Sequence, residues 1–173
     1  MPGPLSELSS LSRRDGRVEA KLTLLIDEHV DQVWLALTSS DWLPQWLAPG
    51  HIEARLAGEV RLDFEASGVA IDSKVTAIRP GALIEYSWSG PGQPDQTLRW
   101  TLEPIGPTTY LTLALSLPDE SDLARACAGW AAHLDMLVAA LAHIPVKFPV
   151  DVFDEAQRSF AEKLAALAVQ IAA

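Results

Sequence analysis

The chain has 173 residues, of which 49% are hydrophobic, so it has the length and apolar content of one ordinary domain with a sizeable core. Its net charge of −10 and pI near 4.7 argue against nucleic acid or an anionic membrane surface as partner, and they suit a solvated acidic surface. A single cysteine, Cys127, excludes an internal disulfide. It sits inside an apolar run with no adjoining positive charge, so it reads as a small core residue before a reactive thiol.

Residues 1–16 are polar and broken by Pro, Gly and Ser, and are expected to form a mobile leader with at most one loose turn. They lack the apolar stretch of a signal peptide, and no later stretch is long and apolar enough to span a bilayer. The expected location is the cytoplasm, in a bacterium. From Arg17 to Ile26, Val18, Ala20, Leu22, Leu24 and Ile26 alternate on one face, which predicts a strand. Two short helices follow. The first has Val30, Val33, Trp34 and Leu37 inward; the second, Asp41 to Leu47, is capped by Ser39 or Ser40 and ended by Pro49-Gly50.

A run of strands comes next: His51–Leu56, Glu59–Ala66, Val69–Ile78, Leu83–Trp88, Gln96–Pro104 and Thr109–Leu117, separated by Gly- and Pro-bearing turns. Their inward sets include Val60, Leu62 and Phe64; Val69, Ile71, Ser73 and Val75; Ile84, Tyr86 and Trp88; Leu98, Trp100 and Leu102. Lys74 is expected to meet Asp63 or Glu65 across strands. Seven short strands with polar outer faces read as one antiparallel sheet that is wet on one side and covered by helices on the other.

The stretch Leu123–Ile144 is the cover. Leu123, Ala126, Trp130, Leu134, Leu137, Leu141 and Ile144 lie along one helical stripe; Ser121 is the candidate cap and Pro145 the stop. After Pro145 and Pro149, Asp151–Ile171 reads as an amphipathic helix, with Phe153, Phe160, Leu164, Leu167 and Ile171 on one face. The back of the long helix is rich in alanine (Ala128, Ala132, Ala139, Ala142), which admits close approach of that last helix, in cis or from a partner subunit as a homodimer.

Several segments together resemble the family of homologues of the activator of the heat-shock-protein ATPase, in the START-like, birch-pollen-allergen-like (SRPBCC) superfamily. They are Val33-Trp34-Leu35-Ala36-Leu37-Thr38, Leu43-Pro44-Gln45-Trp46-Leu47-Ala48-Pro49, Gly58 opening a strand, Pro80-Gly81-Ala82-Leu83 with Trp88, Pro107 to Leu113, and Gly129-Trp130 with Leu134, Leu137 and Leu141. The resemblance runs from about Arg17 to His143. It implies a helix-grip fold, α+β, with a curved seven-stranded sheet gripping a long C-terminal helix and an apolar cavity between them. The implied organisation is a leader (1–16), a START-like domain (17–144) and a helical extension (145–173). Ala57-Gly58 stands where the family commonly has two glycines. The residues before Arg17 are too few for the separate N-terminal domain of the chaperone activator, so chaperone activation is not expected.

No HExxH, CxxC, GxSxG or Walker pattern is present, and Pro91 spoils Gly90-Pro91-Gly92 as a phosphate cradle. His29, His51, His133 and His143 include no pair at i, i+4, so no metal is signalled and no cofactor is expected. The carboxylate pairs Asp27-Glu28 and Asp119-Glu120 lie at turns and suit capping. His133 lies about 60° off the centre of the stripe. It is either a boundary histidine with one hydrogen bond or a polar group facing a cavity near Tyr86 or Ser73. The inward tryptophans either line a pocket or fill the grip.

The expected ligand cavity is therefore Trp46, Phe64, Ile71, Ser73, Tyr86, Trp88, Trp100, Trp130, His133, Leu134 and Leu137. The leading expectation is binding of a hydrophobic small molecule without catalysis. One rival is a polyketide cyclase or dehydratase-like enzyme using His133 and Tyr86 as acid and base. The other is a protein-interaction or co-chaperone-like module using the acidic surface and the last helix.

Overall fold

The computed structural model describes residues 6–64, 69–89 and 96–172. In chain order the elements are β1 (Glu7–Arg14), β2 (Arg17–Ile26), α1 (Val30–Thr38), α2 (Leu43–Trp46), β3 (Gly50–Ile52), β4 (Glu59–Phe64), β5 (Val69–Arg79), β6 (Leu83–Ser87), β7 (Thr97–Ile105), β8 (Thr108–Leu117), α3 (Leu123–Leu141) and α4 (Val150–Ala172). The eight strands form one antiparallel sheet in the order β1-β2-β8-β7-β6-β5-β4-β3. Alternation puts Val18, Ala20, Leu22, Leu24 and Ile26 of β2 and Leu111, Leu113, Leu115 and Leu117 of β8 on the buried face.

The eighth strand is β1, and it corrects the expectation of a mobile leader with at most one loose turn. Asp15 and Gly16 both take positive φ (52° and 76°), and Arg14 pairs with Arg17 and Arg13 with Val18 across the turn. An Asp-Gly pair is suited to such a two-residue hairpin because its backbone tolerates left-handed geometry. The strand hides from a hydrophobic pattern because Glu7–Arg14 brings only Leu8 and Leu11 to the core. The register also moves Lys74: it sits opposite Glu59, and Asp63 faces Ala70. The expected strand at 51–56 shortens to Gly50–Ile52. Beyond it the chain turns back through Arg55 N–H to Glu53 O and Gly58 N–H to Arg55 O, each at 2.8 Å. A Cβ on Gly58 would stand 2.1 Å from Glu53 O, so glycine is required there. Ala57 carries the left-handed backbone (φ 59°) that a glycine would adopt without strain.

The long helix α3 lies across the sheet. Leu123, Cys127, Trp130, Ala131, Leu134, Leu137 and Leu141 are all buried. Both of its ends differ from expectation. Ser121 does not cap it; its N–H and hydroxyl both turn to the Asp119 carboxylate, which lowers that carboxyl's pKa, the hydroxyl bond being the larger cause. At the other end the helix stops before Pro145. His143 takes a left-handed conformation (φ 58°) and donates to Ala140 O (2.9 Å), while Ile144 N–H reaches Ala139 O (2.8 Å). These paired bonds close a Schellman motif, with histidine where glycine is usual. Ile144 thereby leaves the helix and is exposed instead of continuing the stripe.

The helix α4 packs on the back of α3 in the same chain. Ala128 and Ala132 are fully buried there, facing an element whose buried residues, among the described side chains, are Ala156 and Phe160. Small residues bring the two backbones close. Gly129 is part of this seam: a Cβ on it would lie 3.9 Å from the Phe153 ring. Asp151 lies in the first turn of α4, which begins at Val150, so it complements the helix dipole and does not cap the helix. Leu167 and Ile171 side chains, and Glu65 to Gly68 at the expected end of β4, lie outside what the structure describes.

Candidate functional site

The space beneath the middle of α3 is filled. Trp46, Tyr86 and Trp100 are each 1% exposed, and Leu134 and Leu137 are fully buried over them. Trp46 donates its indole N–H to Ala36 O (2.7 Å), and Trp100 donates its own to Tyr86 Oη (3.0 Å). Trp46 and Trp100 meet edge to face at 5.9 Å, a favoured geometry for aromatic pairs. Ile71 and Ser73 are also interior, and the Ser73 hydroxyl has no hydrogen-bond partner.

The open space lies at the end of the grip. A cleft of about 690 Å³ runs between the N-terminal half of α3, the ends of β4, β6 and β8, and the start of α4. Phe64, Trp88, Trp130 and His133 line it. Trp88 and Trp130 stand edge to face at 5.0 Å, and Phe64 meets Trp88 the same way at 5.7 Å. Of the eleven side chains expected to share one cavity, these four meet here, and the other seven belong to the core.

Three further groups of lining residues fall outside the sequence expectation. Asp122, Arg125, Ala126 and Gly129 come from the face of α3 between its sheet side and its α4 side. Gln96 and Leu117 come from strand ends. Phe153 comes from α4, where its place on the apolar stripe marks it as a helix-packing residue. The spacing 122, 126, 129/130, 133 is itself a helical stripe and is the signal that could find them, although it mixes charge, glycine and aromatic residues.

His133 has a defined hydrogen-bond pattern. Its Nδ1 lies 2.9 Å from Trp46 O. A carbonyl only accepts, so Nδ1 carries the hydrogen and Nε2 keeps a lone pair. Burial holds the imidazole pKa below its usual 6.5, opposed by the bond to Trp46. The ring sits among Phe64 (6.3 Å), Trp130 (6.0 Å) and Phe148 (5.3 Å), and Phe148 in turn touches Phe153 (5.9 Å). A neutral acceptor in an aromatic wall can orient a ligand by one bond.

Tyr86 does not join it. Its phenol is wholly buried, accepts from Trp100 and is absent from the cleft wall; burial pushes its pKa far above the usual value. The Cys127 thiol, also buried, is pushed up to about 12 and stays protonated at neutral pH. Among the described residues no group of three or more His, Cys, Asp or Glu is placed to hold a metal ion, and no helix is long and apolar enough to cross a membrane.

The fold has many solved counterparts. CalU16 from Micromonospora echinospora superposes with a TM-score of 0.75 at 22% identity, over 91% of this chain and 96% of that one. DynU16, a protein in the dynemicin biosynthetic locus, gives 0.64 at 29% identity, over 76% of this chain and 49% of its own. The Aha1 dimer from Colwellia psychrerythraea gives 0.61 at 22% identity, over 71% and 95%. No curated protein has a matching sequence. The sheet that grips α3, and the two short helices between β2 and β3, are what the sequence resemblance implied. Residues 27–142, more than half of the chain, match the family described as Activator of Hsp90 ATPase homolog 1-like protein, and the chain belongs to that family.

Proposed function

We propose that this domain binds a planar, largely apolar small molecule in the cleft beside α3 and performs no chemistry on it. The observation that carries the reading is the Trp88–Trp130 pair with Phe64, an aromatic surface left open to a volume of about 690 Å³. Apolar walls with a few polar groups are the usual composition of a small-molecule site. The place of DynU16 in a biosynthetic locus supports a small-molecule partner for this fold. The acid–base reading through His133 and Tyr86 loses its geometry, because only His133 borders the cleft.

Fluorescence titration with anilinonaphthalene sulfonate tests the proposal. One saturable site per chain is expected. Ala126→Phe, which adds a ring inside the cleft, should weaken binding about tenfold or more while the protein stays folded. Equal binding by both proteins would place the probe elsewhere and sink the reading.

The dimer seen for Aha1, whose fold matches 71% of this chain, supports a second proposal, that two copies of this chain associate. Sedimentation across micromolar concentrations checks it; a monomer throughout would rule it out.

A further inference from the structure

The cleft is polar at its two ends and apolar between. Along α3 its wall reads Asp122, Arg125, Ala126, Gly129, Trp130 and His133. At 1.5 Å per residue, Arg125 and His133 are about 12 Å apart along the axis, the reach of a two- or three-ring fused aromatic with a substituent at each end. The ends differ in character. At the inner end His133 offers Nε2 as an acceptor, because Nδ1 is committed to Trp46 O. At the outer end Arg125 is exposed, and among the described residues no carboxylate pairs with it. Asp122 and Gln96 share that end, and neither forms a hydrogen bond or ion pair with the guanidinium.

Resting on the binding reading above, we propose that the ligand is an elongated planar aromatic acid bearing a hydroxyl at the far end. The hydroxyl donates to His133 Nε2, the rings lie against Trp88 and Trp130, and the carboxylate meets Arg125. Phe148 and Phe153, which lie beyond the family-matched residues, add aromatic surface beside the part-buried imidazole. A hydrogen bond made there competes less with water.

Three probes separate the contributions: 6-hydroxy-2-naphthoic acid, its 6-methoxy analogue, which cannot donate, and 2-naphthoic acid. Calorimetric titration should show the hydroxy acid binding about 3- to 10-fold tighter than the methoxy acid, the range of one net hydrogen bond. In His133→Asn the side-chain amide can still donate to Trp46 O, but nothing replaces Nε2. That variant should keep its melting temperature and its affinity for 2-naphthoic acid and lose the hydroxyl preference. Arg125→Gln should weaken all three acids by a similar factor. Equal affinity for hydroxy and methoxy acids in the parent protein, or a preference that survives His133→Asn, overturns the inference. If the acids bind and Ala126→Phe blocks them, that overturning leaves the cleft reading intact. If Ala126→Phe binds them as well as the parent does, both fall.

Discussion

The closed centre of the grip and the open cleft at its end are built from the same residue types, and they differ in what their polar atoms meet. In the centre each indole N–H has an internal acceptor: Ala36 O for Trp46, Tyr86 Oη for Trp100. Both indoles are satisfied within the chain, and the Ser73 hydroxyl, which has no hydrogen-bond partner, is enclosed by the core. In the cleft, His133 spends one nitrogen on Trp46 O and keeps the other. Aromatic content therefore does not mark a binding site; an aromatic wall with polar capacity left over does. The two regions share one joint, since the Trp46 backbone holds His133 while the Trp46 side chain fills the centre.

Substitutions can break this division. Trp100→Ala should be the most damaging, about 3–5 kcal/mol by chemical denaturation, since it empties a large volume among rigid neighbours. A loss below about 1 kcal/mol would mean the centre is loosely packed. Next, Tyr86→Phe should cost about 1–3 kcal/mol, because it orphans the buried Trp100 N–H, and should leave probe binding in the cleft unchanged. Changed binding would show that the two regions are not separate. Phe153→Ala should do the reverse. It should weaken probe binding severalfold with a smaller stability loss, because the ring is only partly buried.

The smallest effect is on pH dependence. In the unfolded chain His133 titrates near 6.5; in the fold its pKa is lower. Below about 6.5 the unfolded state therefore binds the extra proton first. Stability from the neutral imidazole is complete above that value and is lost as pH falls through the folded pKa. Denaturation midpoints at about pH 7.5 and about pH 5.5 should thus fall less in His133→Asn than in the parent. Equal falls would show that the imidazole is not held neutral by its surroundings.

Much of the grip is legible in the sequence. Period-two alternation marks β2 and β4 to β8, and the stripe from Leu123 to Leu141 marks their cover. The misses have particular causes. The strand β1 is too polar for an alternation signal; Asp15-Gly16 is the clue, and it works through backbone geometry. The end of α3 at His143 is likewise a backbone event. The site is half legible: Phe64, Trp88, Trp130 and His133 stand out, but among seven others that are core. Pattern says which side chains point inward, and both a filled interior and a cleft wall satisfy it.

What the sequence determined alone was the periodicity, hence the sheet, its cover and their apolar faces, because one face of each element must leave water. It also carried the chemistry of a single polar group, His133, in an apolar setting. Only the tertiary structure decided where volume was left over. Close packing fills the centre because Trp46, Trp100 and Leu134 interlock there. It fails at the end, where Gly129 and Ala126 have too little side chain to meet Trp88 and Phe64. Whether side chains from distant strands and helices close a gap depends on the sum of their volumes at one place in space, and no local pattern along the chain encodes that sum.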